Sequence, residues 1–254
     1  MSSASPSTSQ GKLKLLCLHG YLQNSEVFRS RIGSVRKALK SRLEFEFVEG
    51  PYEATFGRGI SNTSSEETSE NIDTSSAPGQ QAVGRSWWQW TDVGPDGRPS
   101  RATSYTGWEP SLELLVHTIN VHKPDGVFGF SQGAAATALL LSCLESRPEL
   151  QQSWRPKFAI MISGFLPRDP SFAELVQKAR PSVPSMFVYG TADEMVPPER
   201  TQELIAAFDQ ECSSVYKHAG AHLVPTCSGT FKQALTSFID RFAVCDSYPH
   251  VVTK

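Results

Sequence analysis

Asp125-Gly126-Val127-Phe128-Gly129-Phe130-Ser131-Gln132-Gly133 is the stretch on which the rest of the chain turns. It reads as a short buried strand, a sharp turn with a serine at its apex, and a helix opening at Gln132. That is the strand–turn–helix setting a G-x-S-x-G nucleophile elbow requires. Gly129 and Gly133 lack a Cβ, so strand and helix can approach closely around Ser131. The serine is expected at positive φ, a strain of about 1–3 kcal/mol that the surrounding packing must hold. The helix N-terminus then offers unpaired N–H groups beside the hydroxyl, where an oxyanion can develop. Five residues alone arise too easily by chance in a Gly- and Ser-rich chain, so the context carries the argument.

Outward from the elbow, apolar runs alternate with amphipathic stretches. Lys12 to Leu18, Leu43 to Val48, Gly126 to Phe130, Phe158 to Ile162, Pro184 to Tyr189 and Ser214 to Lys217 read as strands. Ser25 to Leu39, Glu109 to Val121, Ala134 to Leu144, Phe172 to Ala179, Glu199 to Phe208 and Gly229 to Phe242 read as helices. The expected fold is α/β, with a mainly parallel central sheet of about six strands and helices on both faces. One domain is expected over 12–242, after a disordered leader at 1–11 and before a tail at 243–254. The stretch from about Gly57 to Arg85 is polar and weakly acidic, and is expected to be a mobile insertion. Order should return at Ser86-Trp87-Trp88-Gln89-Trp90, whose tryptophans form either a satellite cluster or a pocket wall.

The bulk composition excludes several classes. A chain of 254 residues with net charge −2 and pI near 6.3 offers no electrostatic case for nucleic acid or an anionic membrane. No apolar run reaches the roughly 18 residues of a membrane span. Five cysteines, scattered at 17, 143, 212, 227 and 245, give neither a disulfide framework nor a zinc spacing. With no secretory signal read at the N-terminus, a reducing cytoplasmic setting is expected, the nucleus also being open.

Four points follow the C-terminal ends of expected strands: His19-Gly20-Tyr21, Ser131, Asp193 and His222. In an open α/β sheet ligands bind at that edge. The order Ser, Asp, His is that of the α/β hydrolases. A neutral serine hydroxyl is a poor nucleophile; a histidine must take its proton, and a carboxylate must hold that histidine's tautomer. Ser131, Asp193 and His222 are the candidates, with oxyanion donors expected from the N–H groups of Gln132 and Tyr21. His19 is read as a structural residue that positions the Tyr21 loop. Glu194 and Asp169 are rival acids, although Arg168-Asp169-Pro170 suits a turn or cap. His218 is a rival base at the end of the last strand.

These motifs resemble the FSH family of serine hydrolases. The similarity runs through Leu16-Cys17-Leu18-His19-Gly20-Tyr21-Leu22-Gln23-Asn24, Glu49-Gly50-Pro51, Trp87-Trp88, the elbow, and Ser163-Gly164-Phe165. It continues through Gly190-Thr191-Ala192-Asp193-Glu194-Met195-Val196-Pro197 and His218-Ala219-Gly220-Ala221-His222-Leu223-Val224-Pro225. Ala221 departs from a usual glycine. The resemblance implies a compact α/β hydrolase without a large cap domain, acting on carboxylic esters or thioesters; a small-molecule substrate and no cofactor are expected. Trp87, Trp88, Tyr21 and Phe165 are candidates for an apolar acyl pocket. That aromatic density, with no basic cluster for an anionic acid, suggests aliphatic or longer-chain esters. The alternatives are an acyl-thioesterase with the same three residues, or a binding protein on a hydrolase scaffold.

Overall fold

A computed structural model describes residues 11–54, 83–92, 101–150 and 154–243. The expected leader, the tail beyond Ala243 and most of the polar stretch lie outside them. Among the described residues, six strands form one sheet in which every neighbouring pair is parallel. They are β1 (Leu13–Leu18), β2 (Leu43–Val48), β7 (Gly126–Phe130), β8 (Phe158–Ile162), β9 (Ser185–Gly190) and β10 (Ser213–His218). The order across the sheet is β10-β9-β8-β7-β1-β2. From β1 the chain steps outward to β2, crosses back to β7 and then runs to the opposite edge. Strand order therefore reverses between β1 and β7, where such sheets open a ligand crevice at their carboxyl ends.

Alternate side chains of each central strand enter opposite cores, which is why these strands read as continuous apolar runs. Leu16 and Leu18 of β1, with Val127, Met161 and Phe187, pack beneath four helices. These are α3 (Trp108–His122), α4 (Gln132–Ser146), α5 (Pro170–Ala179) and α6 (Pro198–Ala206). Leu15 and Cys17, with Phe128, Phe130, Ile160 and Val188, face α1 (Ser25–Arg31), α2 (Gly33–Leu39) and α7 (Gly229–Asp240). Helix α4 is buried on nearly every side from Gln132 to Leu144, which explains its uniformly apolar composition.

Two features differ from the sequence expectation. The stretch from Ser25 to Leu39 is not one helix: Ile32, at φ −91° and ψ 20°, ends α1 and admits α2 at Gly33. Two short antiparallel ribbons also lie outside the main sheet. Here β3 (Tyr52–Ala54) pairs with β4 (Gly84–Ser86), and β5 (Gln89–Trp90) with β6 (Tyr105–Thr106). Among the described residues, β4 thus begins at Gly84, slightly before the expected Ser86.

Candidate active site

Ser131 sits between β7 and α4 at φ 53° and ψ −118°, the strained conformation the motif calls for. Its N–H donates to the Ile162 carbonyl of β8 at 2.9 Å, which ties the apex to the neighbouring strand. The glycines account for the tight turn. A Cβ on Gly133 would run into the Leu18 and His19 carbonyls, and one on Gly129 into the Gly133 carbonyl and Ala134. Helix and strand can close only because both are glycine.

His222, in the loop after β10, reaches both partners. Its Nε2 lies 3.0 Å from Ser131 Oγ, and its Nδ1 lies 2.7 Å from Asp193 Oδ2. The Asp193 side chain is fully enclosed and that of His222 only 13% exposed, so water screens the pair poorly. The other carboxylate oxygen, Oδ1, accepts the N–H groups of Met195 at 3.0 Å and Val196 at 2.8 Å. Burial pushes the Asp193 carboxyl upward. The hydrogen bond and charge of His222, with the Val196 N–H, outweigh that and hold it below the ordinary aspartate value. The two loops are also stitched by backbone: Thr191 N–H donates to the His218 carbonyl at 2.8 Å, and Ala192 N–H to Gly220 at 3.3 Å. Ala221 is exposed and outside the left-handed region, so its methyl fits without strain.

The first strand's exit loop lies against the elbow. A Cβ on Gly20 would stand 3.1 Å from Phe130 and 3.3 Å from the Ser131 Cβ. Tyr21 follows directly, its ring edge-on to Trp90 with centroids 4.6 Å apart. Gln132 opens α4, so its N–H is among those with no partner within the helix. Its side chain accepts the Trp87 N–H at 3.1 Å. His19 is buried: Nδ1 donates to the Gly20 carbonyl at 2.8 Å, and Nε2 accepts the Gly50 N–H at 2.9 Å. That pairing needs a neutral ring, and burial lowers its pKa to about 4. With both ring nitrogens engaged, His19 clamps the loop after β1 to Gly50, and it is His222 rather than His19 that reaches the Ser131 hydroxyl.

The rivals fall into other roles. Asp169 caps α5, accepting from Ser171 N at 3.0 Å and Ser171 Oγ at 2.6 Å, while its second oxygen takes the Tyr105 N–H at 2.9 Å. Glu194 is exposed, and His218 Nδ1 accepts from its own loop at Gly220. Trp87 and Trp88 require a correction. Both are completely buried, so neither ring forms the wall of an open pocket. Trp87 is a brace whose Nε1 donates to the His19 carbonyl at 2.8 Å. Trp88 stacks on Tyr105 with centroids 5.5 Å apart and meets Trp108 edge-on, which is the satellite-cluster alternative. Phe165, just past β8, is half-buried and carries the Arg200 guanidinium 4.5 Å above its ring. Arg168 and Arg200 are the residues that sequence reasoning missed: far apart along the chain, they line one cleft with Leu166 and Pro167.

Residues 8–234 match the family described as "Serine hydrolase (FSH1)". The chain is 34% identical over 236 residues to the esterase C25G4.2 of Caenorhabditis elegans, covering 91% of this chain and 95% of that one. Against the esterase OVCA2 of Homo sapiens it is 32% identical over 238 residues, covering 92% and 98%. Among solved structures, Arabidopsis thaliana SOBER1 superposes with TM-score 0.57 at 15% identity, covering 91% of this chain and 99% of that one. Zea mays acyl-protein thioesterase 2 does so with TM-score 0.56 at 15% identity, covering 94% and 97%. At such identities the structures speak for the fold, which they share as α/β hydrolases.

Proposed function

The chain belongs to the FSH1 family of serine hydrolases, and on that premise we propose that it cleaves carboxylic esters through an acyl-enzyme on Ser131. One observation carries this reading: the unbroken path of hydrogen bonds from Ser131 Oγ through His222 to Asp193. Esterase is also the name borne by relatives that align over nearly their whole length.

In the first half-reaction Ser131 Oγ attacks the ester carbonyl carbon while His222 Nε2 accepts the hydroxyl proton. The carbonyl oxygen takes the negative charge and is met by the N–H groups of Gln132 and Tyr21. Collapse breaks the bond to the alcohol oxygen, which leaves with the proton from His222. In the second half-reaction His222 takes a proton from water, hydroxide attacks the acyl carbon, and the acid departs as Ser131 is restored. Asp193 keeps the Nδ1–H tautomer in place and stabilises the imidazolium of each step. Asp193 can serve in this way because its carboxyl is held below the ordinary aspartate value and shielded from water.

For substrate, an aliphatic or longer acyl or alkyl chain is favoured. With Trp87 and Trp88 enclosed, support for this comes from half-buried Phe165 and Leu166 on the sheet's carboxyl edge. A chain-length series of 4-nitrophenyl esters tests it, and a flat or short-chain-biased kcat/KM would refute it. Thioesters meet the same three residues with the same geometry. A fold neighbour named as a thioesterase makes parallel kinetics on matched oxygen and thio esters the natural control. A cytoplasmic location is consistent with free thiols at Cys17, Cys143, Cys212 and Cys227. Labelling with a fluorophosphonate probe, lost in Ser131→Ala, tests the whole reading. An unlabelled wild type that stays folded would favour a binding protein instead.

A further inference from the structure

Beside the carboxyl edge of the sheet lies a buried arginine with no ion-paired acid among the described residues. It is Arg200, in the first turn of α6, and it is only 9% exposed. Its guanidinium donates to the Leu166 carbonyl at 3.3 Å and lies over the Phe165 ring. An enclosed cation without a directly bonded acid is costly. Burial, and then the neighbouring charge of Arg168, pull its pKa down to about 10, with Tyr105 and the charge of Glu203 opposing them less strongly.

Both arginines line a cleft of about 360 Å³, together with Thr103, Leu166, Pro167 and Glu203. Arg168 is exposed at its mouth, and its N–H donates to the Tyr105 hydroxyl at 3.1 Å. Of the acids nearby, Asp169 caps α5 and Asp92 is held by Thr103 and Ser104, while the exposed Glu203 shares the cleft lining and leaves two guanidinium groups against one carboxylate. The cleft is tied to the elbow through β8: Ile162 receives the Ser131 N–H, and Leu166 of the cleft comes four residues later, at most ~14 Å from Ile162. On its other side, the loop that begins at Asp193 runs directly into α6 and Arg200.

We propose that Arg200 and Arg168 form an anion subsite, so that the favoured substrate is an aliphatic ester carrying a second, negatively charged group. It rests on the ester-hydrolase reading of Ser131. Phe165 and Leu166 cover the apolar middle of such a substrate, and the two guanidinium groups take a carboxylate or phosphate at its end. Arginine suits this task because its planar fork meets two oxygens at once. The sequence shows no basic cluster along the chain and suggests aliphatic or longer-chain esters; the anion subsite adds a charged end to such an ester. Residues far apart in sequence meet in one place.

The test compares kcat/KM for an anionic ester and its neutral twin, each normalised to its spontaneous hydrolysis. Mono-4-nitrophenyl pimelate against methyl 4-nitrophenyl pimelate puts the charge on the acyl side. The butyrate ester of 4-hydroxybenzoate against that of methyl 4-hydroxybenzoate puts it on the alcohol side. In one arm the anion is expected to be preferred by about tenfold to a hundredfold at low salt. Arg200→Gln, with its fold checked by circular dichroism, should reduce that ratio by a similar factor. Preference for the neutral member in both arms, or an equal fall for both members in Arg200→Gln, overturns the proposal. If Arg200→Gln does not fold, Arg168→Gln and competitive inhibition of the wild type by free pimelate or inorganic phosphate decide it. An unaltered ratio with no inhibition overturns it. Fluorophosphonate labelling and turnover of the neutral ester report separately on the Ser131 chemistry, so the two readings fail independently.

Discussion

Acidification should loosen this protein through one buried histidine that stands apart from the hydrogen-bonded path of Ser131, His222 and Asp193. His19 is wholly enclosed, and its two ring nitrogens serve opposite roles, Nδ1 donating to Gly20 and Nε2 accepting from Gly50. A second proton on Nε2 would abolish the acceptor and leave a charge in the core. Its pKa is accordingly lowered, chiefly by burial, from 6.5 to about 4. The unfolded chain therefore binds more protons than the native one between those two values. Stability from this histidine is complete above the unfolded pKa and is lost as pH falls towards the folded one. The loss amounts to about 2 kcal/mol between pH 7 and pH 5, and approaches ~3 kcal/mol at pH 4. Urea denaturation at pH 7, 6 and 5 measures it, with His19→Gln as the reference. The glutamine amide oxygen stands where Nε2 accepts, and it does not titrate. The variant is expected to start less stable but to change less with pH, so the gap between the two proteins narrows by about 2 kcal/mol. His218, whose pKa is also lowered by burial, contributes to both proteins alike and cancels. Parallel curves for wild type and variant would refute the reasoning.

Asp193→Asn should leave the fold intact and lower kcat by about 10⁴-fold, because the amide favours the wrong imidazole tautomer. Steady-state kinetics on 4-nitrophenyl butyrate checks this, and a loss below tenfold would move the acid elsewhere. Asp169→Ala should instead cost about 1 kcal/mol of stability, through loss of the α5 cap, with kcat reduced less than tenfold. Thermal melting alongside kinetics separates the two aspartates, and a large kcat loss here would restore Asp169 as the acid.

The parallel sheet is legible because each strand is buried on both faces and so appears as an uninterrupted apolar run, as in Phe158–Ile162. Ser131, Asp193 and His222 are legible as candidates because each follows a strand, and strand exits share one edge of such a sheet. The short ribbons β3–β4 and β5–β6 are not, since two or three residues carry no period to read. Trp87 and Trp88 mislead for a different reason. Aromatic density signals burial, but composition does not distinguish rings that face a ligand from rings that face the core. Arg168 and Arg200 belong to separate elements, and neither looks unusual among the polar residues around it. Only the packing of α6 against the loop beyond β8 brings them to the same cleft.

The pairing of Ala54 with Gly84 has a consequence for how this chain can change. It holds Ala54 and Gly84 together beside the loop after β1, where Arg85 exchanges hydrogen bonds with Leu22 and Gln23. Joining two fixed ends by a longer stretch costs only about 0.6 kcal/mol of closure entropy for each doubling of its length. A change of length between Ala54 and Gly84 is therefore expected to leave their pairing intact. The same clasp makes this stretch a natural splice point for a reporter domain in an engineered esterase.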